Sequence, residues 1–222
     1  MDELLVDQLV NAARAVVASR AIAANGHGNF SVRVLGAEEM LFTNAPSLND
    51  LGPEGVCRVG LDGSLLEGSL PPIQGAIVAM HTMLYRRDPD IRSVLHTHAP
   101  GATAFAVARR PIDCWIEAMA MFGLADGVPV AAYAPRGSDQ AVANIEAVLR
   151  PGVPAVLLAN HGMLVFHRTA ELAVLVNGVV EEAAQAALAA QAIGGPVAID
   201  PEMRAAALQR AMGFAAVGTR TA

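Results

Sequence analysis

Apolar residues recur at three- and four-residue steps near the start of the chain. Leu4, Leu5, Leu9, Val10, Ala13, Val16 and Val17 make one stripe, which predicts a helix over residues 2–24. Asp2 and Glu3 stand where the helix dipole favours negative charge, and Gly26 and Gly28 end the helix. The period then shortens to that of a strand, with Phe30, Val32 and Val34 alternating across residues 28–34. Short strands follow at 40–43 and 55–61. Asp62-Gly63 is a two-residue turn signal after which 64–70 pairs back. Pro71-Pro72 stops the run. A helix is predicted over 73–85, with Ile77, Val78, Met80, Leu84 and Tyr85 on overlapping faces, and 86–90 is its exit turn.

A strand at 92–97 comes next, then a helix at 102–108, a strand at 111–115, an ambiguous stretch at 117–123 and a strand at 128–133. Ser138 is placed to cap a helix running to 149, with Asp139 in support. Strands at 154–158 and 163–166 precede a helix over 170–193, capped by Thr169 and ended by Gly194-Gly195-Pro196. A last helix at 201–212 leads to a tail expected to be mobile from Gly213. With no internal repeat, no low-complexity linker and no regular βαβ unit, this order predicts one α/β domain over 1–222. Its core spans about 4–195, with a C-terminal helix and tail at 196–222. The expected architecture is a mostly antiparallel or mixed central sheet with helices on both faces.

The chain of 222 residues is 54% hydrophobic but only 4% aromatic, so its core is expected to be built from small, closely packed side chains. A net charge of −6 argues against a nucleic-acid partner, which wants a basic face, but leaves room for a small anionic substrate held by one or two arginines. Cys57 and Cys114 have no metal or redox spacing and read as buried free thiols in a reducing compartment. No basic leader is visible. The one long apolar stretch, 170–195, carries Glu171, Glu181 and Glu182. The expectation is a cytoplasmic, soluble protein with no membrane partner.

The chemistry concentrates at 93–100, Ser-Val-Leu-His-Thr-His-Ala-Pro. Along a strand, His96 and His98 point to one side and Thr97 to the other. A third histidine, His161, stands at the end of the other strongly apolar run, so three of only six histidines sit at strand ends. Three neutral imidazoles suit Zn²⁺, or Fe, Co or Mn, and leave a coordination position open. Asn29, beside glycines at a helix-to-strand junction, reads first as a turn residue, with an anion contact through its amide as the alternative.

Four spaced motifs then carry a resemblance: Gly28-Asn29-Phe30-Ser31-Val32-Arg33; His81-x-x-x-Tyr85 followed by Arg86-Arg87-Asp88-Pro89-Asp90; Val94-Leu95-His96-Thr97-His98-Ala99-Pro100; and Asn160-His161-Gly162 before a strand and a long alanine-rich helix. Together they resemble the class II aldolase/adducin head-domain family over roughly residues 4–195. The resemblance implies an α/β/α sandwich with a nine-stranded, mostly antiparallel sheet, and a homotetramer with active sites between neighbouring subunits. It also implies one divalent metal per subunit, usually zinc with manganese or iron as alternatives, on His96, His98 and His161. Enzymes of this type include sugar phosphate aldolases, epimerases and a dehydratase, and relatives decarboxylate hydroxylated aromatic or pyridine dicarboxylic acids.

The departures from the family pattern shape the functional expectation. The aldolases carry a glutamate four or five residues before the position of His81, where this chain has Ala76 and Ile77; the nearest polar residue is Gln74. Pro71-Pro72-Ile73 stands where phosphate-holding hydroxyl residues are expected, and the 43–47 loop lacks the usual glycine. Asn29, Thr43, Ser47, Gln74 and Arg136 remain as substrate contacts. Glu117, Tyr133 and His81 are the acid/base candidates, with His27 behind them. Glu117 falls near the place where aldolases present a tyrosine from the adjacent subunit. The blander roles are a solvated charge for Glu117, a structural helix residue for His81, a surface ion pair for Arg136, an exposed His167, and subunit-interface packing for Trp115. Proton abstraction needs a positioned base, and metal-assisted decarboxylation asks for less. The sequence therefore favours a divalent-metal-dependent carbon–carbon lyase acting on a small oxygenated carboxylic acid, by decarboxylation. A sugar phosphate aldolase or epimerase is the alternative. A non-catalytic oligomeric scaffold and an iron oxygenase are more distant ones.

Overall fold

Asp2 caps the first helix, α1 (Glu3–Ser19), its carboxylate accepting from the N–H groups of Leu4 and Leu5 at 3.0 and 3.4 Å. The helix ends at Arg20 in the left-handed conformation, well before the glycines expected to stop it. In this computed structural model, which describes residues 1–218, strands follow as β1 (Gly28–Val34), β2 (Glu39–Thr43), β3 (Val56–Gly60) and β4 (Leu65–Glu67). Next come α2 (Pro72–Arg87), β5 (Ser93–Thr97), α3 (Pro100–Ala108) and α4 (Glu117–Met121). The chain closes with β6 (Val130–Ala131), α5 (Asp139–Val148), β7 (Ala155–Leu158), β8 (Gly162–His167), α6 (Ala170–Ala190) and α7 (Pro201–Gly218).

The strands form one sheet in the order β4-β3-β2-β1-β5-β8-β7-β6, eight among the described residues rather than nine. Every neighbouring pair is antiparallel except β6 with β7. The strand expected at 111–115 is reduced to one bridge between Ile112 and Val128, and the one expected at 128–133 to two residues. Both lie at the sheet's edge, where Pro111, Pro129 and Pro135 deny the ladder its N–H donors. The stretch at 117–123 resolves as α4. The C-terminal helix continues past Gly213 to Gly218, where a mobile tail was expected, and the last four residues lie outside the described part of the chain.

Alternation sorts the strands onto two cores. Phe30, Val32, Leu41, Leu95, Met163 and Val165 face α1, α3 and α6. Met40, Phe42, Val94, Val156 and Leu164 face α2 and α5. The result is the expected three-layer sandwich. Residues Ala170–Ile193 have the length and apolarity of a membrane span. Ala173, Val176, Val180, Ala183, Ala184 and Ala187 nevertheless pack into the first core, which makes α6 a core helix. The small-residue composition explains how α6 lies so near the sheet. Cys57 and Cys114 are free and buried, one in each core.

Candidate metal centre and anion pocket

β5 lies in the middle of the sheet and is buried along its whole length. Its alternation puts Val94 and His96 on the α2 side, and Ser93, Leu95 and Thr97 on the α6 side. His98 follows at the strand's end. His161 arrives from the turn between β7 and β8, where Asn160 takes a left-handed φ of 57°. The Asn160 N–H donates to the Ala106 carbonyl and its Oδ1 accepts from Arg109 Nε, so the end of α3 holds that turn. Gly162 is required by proximity: a Cβ there would stand 2.5 Å from the Thr97 carbonyl and 3.0 Å from the His98 ring.

The three imidazoles converge, with one ring nitrogen from each lying within 4.8 Å of the others. His96 Nδ1–H donates to the Met163 carbonyl at 2.8 Å, which fixes its tautomer and turns Nε2 toward the cluster. The Nε2 atoms of His96 and His98 are 3.1 Å apart. Two nitrogens on one tetrahedral zinc stand roughly 3.3 Å apart at ordinary Zn–N lengths. His161 Nε2 is buried and has no hydrogen-bond partner. A buried polar atom without a partner is costly, and a cation among the three rings would satisfy it. Burial holds His96 well below the usual histidine range. It lowers His98 to about 3, helped by His27, His161 and Arg136, and His161 to about 4, helped by Arg136 and His27. All three are therefore neutral lone-pair donors at pH 7. The residues present fit a divalent metal.

A mostly apolar cavity opens on this cluster, lined by Ala76, Met80, Tyr133, Arg136, Ser138 and His161. Arg136 has no carboxylate within ion-pair reach among the described residues, and its charge bears instead on His27, His98 and His161. Gly137, at φ +76°, packs its backbone on Ala76: a Cβ there would come within 2.8 Å of the Ala76 Cβ. The loop that presents Arg136 therefore lies over Ala76, one of the two positions where the resemblance leads one to expect a carboxylate. Ile77 is in the second core, and the cluster of potential ligands contains no carboxylate.

The other expected site residues are distributed as follows. Asn29 is within β1, not in a turn, and its Oδ1 lies 2.6 Å from His81 Nε2. It pairs in register with His96, so the two side chains share a face. His81 is fully buried with both ring nitrogens engaged, Nδ1 standing 2.8 Å from Ser31 Oγ. Thr43 Oγ1 accepts from the Phe30 N–H, and Ser47 Oγ donates to the Asn25 carbonyl, so both hydroxyls serve the backbone. Gln74 Nε2 donates to the Ala45 carbonyl, while its Oε1 is buried without a partner. Glu117 is exposed at the start of α4, a helix that packs on α6 and α7, and no contact joins it to the triad within one chain. Tyr133 is 57% exposed at the cavity mouth. His27 lies against His98 in a tilted contact, with ring centroids 4.3 Å apart. His167 is half-buried rather than exposed, and Trp115 packs on Phe105 inside the same chain.

Three contributors were missed in the sequence. Ser31 and Tyr85 extend the contacts of His81, and both were signalled: Ser31 shares a strand face with Asn29 two residues on, and Tyr85 follows His81 by one helical turn. The third is Glu181, buried in α6. Its carboxylate accepts from the N–H groups of Gly101 and Ala102 at 2.8 and 2.9 Å, which pins the start of α3 directly after His98. An acid in the middle of an alanine-rich helix was the only cue.

Comparison with known proteins agrees with this geometry. The chain is 32% identical over 158 residues to the 5-methylthioribulose-1-phosphate/5-deoxyribulose-1-phosphate aldolase of Rhodospirillum rubrum, covering 71% of this chain and 69% of the relative. It is 29% identical over 154 residues to the 3-oxo-tetronate 4-phosphate decarboxylase of Escherichia coli, covering 66% and 68%. A solved L-fuculose 1-phosphate aldolase superposes with a TM-score of 0.80 at 25% identity, over 95% of this chain and 97% of its own. These relatives are named for aldol cleavage and for decarboxylation, and both activities place the chain among lyases. The pattern of the family described as Class II Aldolase and Adducin N-terminal domain matches residues 7–188, and the chain belongs to that family.

Proposed function

We propose that the protein is a divalent-metal-dependent carbon–carbon lyase that decarboxylates a small oxygenated carboxylic acid. The observation that carries this reading is three convergent imidazoles with no carboxylate beside them, the place of the family glutamate being taken by Ala76 and Ile77. His96, His98 and His161 would hold the metal, with zinc the first choice and manganese or iron the alternatives. When bound, the metal supplies Lewis-acid activation of adjacent substrate oxygens. Arg136, without a carboxylate partner of its own, supplies a planar fork for an anionic group of the substrate. The apolar wall around Met80 and Ala76 excludes water. Tyr133, which lines the cavity, is the proton donor for the carbon left after CO₂ departs. Glu117 is proposed to reach the site of a neighbouring subunit, in a homotetramer of a cytoplasmic enzyme. A relative named 3-oxo-tetronate 4-phosphate decarboxylase supports this reading.

The test is CO₂ release from a panel of hydroxy and keto acids, with and without a phosphate group, by protein of known metal content. Release that is lost in His96→Ala/His98→Ala supports the reading. Cleavage of a sugar phosphate to two carbon fragments, with no CO₂ from any acid, would overturn it. That outcome favours the aldolase reading, which the Rhodospirillum rubrum relative supports.

A further inference from the structure

Asn29 is held by a chain of buried groups. Its Oδ1 stands 2.6 Å from His81 Nε2, His81 Nδ1 stands 2.8 Å from Ser31 Oγ, and Ser31 Oγ stands 2.8 Å from the Tyr85 hydroxyl. Asn29 is 3% exposed, His81 and Ser31 0%, and Tyr85 1%. His81 is sealed from water, and its two ring nitrogens meet only the neutral Ser31 and Asn29 side chains, so it is neutral and carries one ring proton.

Two directions of donation fit these distances, and counting protons separates them. If Asn29 donated its NH₂ to His81 Nε2, His81 Nδ1–H would donate to Ser31 and Ser31 to Tyr85. The Tyr85 proton would then be sealed in the core, since Ser31 is the hydroxyl's only side-chain partner among the described residues. A buried donor without an acceptor costs about 1–3 kcal/mol. In the reverse direction Tyr85 donates to Ser31, Ser31 to His81 Nδ1, and His81 Nε2–H to Asn29 Oδ1. Every proton between Tyr85 and Asn29 Oδ1 then has an acceptor. The Asn29 amide is left with its NH₂ free. Nδ2 has no acceptor among the described residues and is not sealed off in the core, and the strand face it lies on is the one that Asn29 shares with His96.

We infer that Tyr85, Ser31 and His81 form a one-way hydrogen-bond relay that fixes which end of the Asn29 amide faces the metal centre, so that Asn29, already expected from the sequence as an anion contact, meets the substrate with its NH₂. His81 is then a positioning residue that acts through Asn29. The anion-contact role rests on the lyase reading above, whereas the direction of the relay does not.

The direction is read first, on zinc-loaded protein with ¹⁵N-labelled histidine. Nitrogen NMR is expected to show His81 neutral at pH 7 with its proton on Nε2. A proton on Nδ1 would overturn the relay whatever the protein catalyses, and this reading needs no variant to fold. The second arm measures binding of inorganic phosphate to zinc-loaded wild type, Ser31→Ala, Ser31→Thr and Asn29→Asp by calorimetry. Ser31→Ala removes the donor to His81 Nδ1 and is expected to weaken phosphate about tenfold, the worth of one hydrogen bond to a charged group. Ser31→Thr is expected to restore it, and Asn29→Asp to abolish it, with zinc content unchanged throughout. Equal affinity in wild type and Ser31→Ala, or no phosphate binding by wild type, would overturn the donor role. The expected tautomer and phosphate results, with no CO₂ released from any acid, would count against the lyase reading alone.

Discussion

Thr97 donates its hydroxyl to Asn177 Oδ1 across 2.7 Å, on the side of the strand opposite His96. Both residues are 0% exposed, and the Asn177 amide donates onward to the Ala21 carbonyl at 2.7 Å. The strand that carries two imidazoles is thereby tied to α6 and to the loop that enters β1. In Thr97→Val the isosteric methyl cannot donate, and Asn177 Oδ1 is left buried without a partner. The expected loss is about 1–3 kcal/mol, read as a lower urea midpoint with an unchanged slope. Metal stoichiometry should survive, because the substitution leaves the imidazoles untouched.

Metal content of untreated protein separates the three histidines from their surroundings. Elemental mass spectrometry should find close to one divalent metal per chain in wild type and little in His96→Ala or His161→Ala. In chelator-treated protein, His161→Ala should unfold at about the same urea concentration as wild type, because the His161 Nε2 has no protein partner to lose. His96→Ala should be less stable, since it loses the hydrogen bond from Nδ1–H to the Met163 carbonyl. Equal destabilisation of the two metal-free variants would show that His161 has a structural role.

The parts of the fold that were legible in the sequence are those with long periodic runs. The stripe of α1, the alternation of β1, and the apolar runs into His96 and His161 each carry their own signal. Helix α6 was equally plain, from the Thr169 cap to Gly194. The edge was legible in place but not in extent: the strand expected at 128–133 forms only over Val130–Ala131, where it pairs with β7 between flanking prolines. Asn29 shows the opposite error. Its glycine neighbours signalled a turn, but Gly28 is needed because a Cβ there would stand 2.6 Å from the His96 carbonyl. The contacts of Asn29 with His81 and of Glu181 with Gly101 join residues 52 and 80 positions apart, and no local pattern predicts such pairs.

Glu181 supplies a second tie to the site. Its carboxylate accepts from two free N–H groups at the start of α3, where the helix dipole favours an anion, and from Gln185 Nε2 at 2.6 Å. Glu181→Gln keeps the shape but offers one acceptor and no charge, and is expected to cost about 1.5–3 kcal/mol. The start of α3 directly follows His98, so the variant should also release metal more readily to a chromophoric chelator. Thr97→Val, of similar stability cost, should not. A common loss of metal affinity in both variants would mean that global stability alone sets it.

His81 makes stability depend on pH in a direction that can be worked out. Burial lowers it to about 3 in the folded protein, with Ser31, Tyr85, Asn29 and the His96 ring around it and no carboxylate among its contacts. In the unfolded chain a histidine titrates near its ordinary value of about 6.5. Above that value both states are neutral at this residue and it has no effect on the pH profile. Between about 6.5 and about 3 the unfolded state holds one proton more, so stability falls as pH falls, by up to about 1.4 kcal/mol per pH unit. The triad histidines contribute with the same sign, so the residue's own share is read by difference. Urea unfolding of metal-free wild type and His81→Asn at pH 7.5, 6.0 and 5.0 should give curves that diverge at pH 7.5 and approach each other toward pH 5.0. Wild type is the more stable at neutral pH because of the relay, and it loses that advantage because it must bury a neutral imidazole while the unfolded chain gains a proton. Parallel curves would mean that His81 binds its proton equally well folded and unfolded, which its sealed position among Ser31, Tyr85 and Asn29 does not allow.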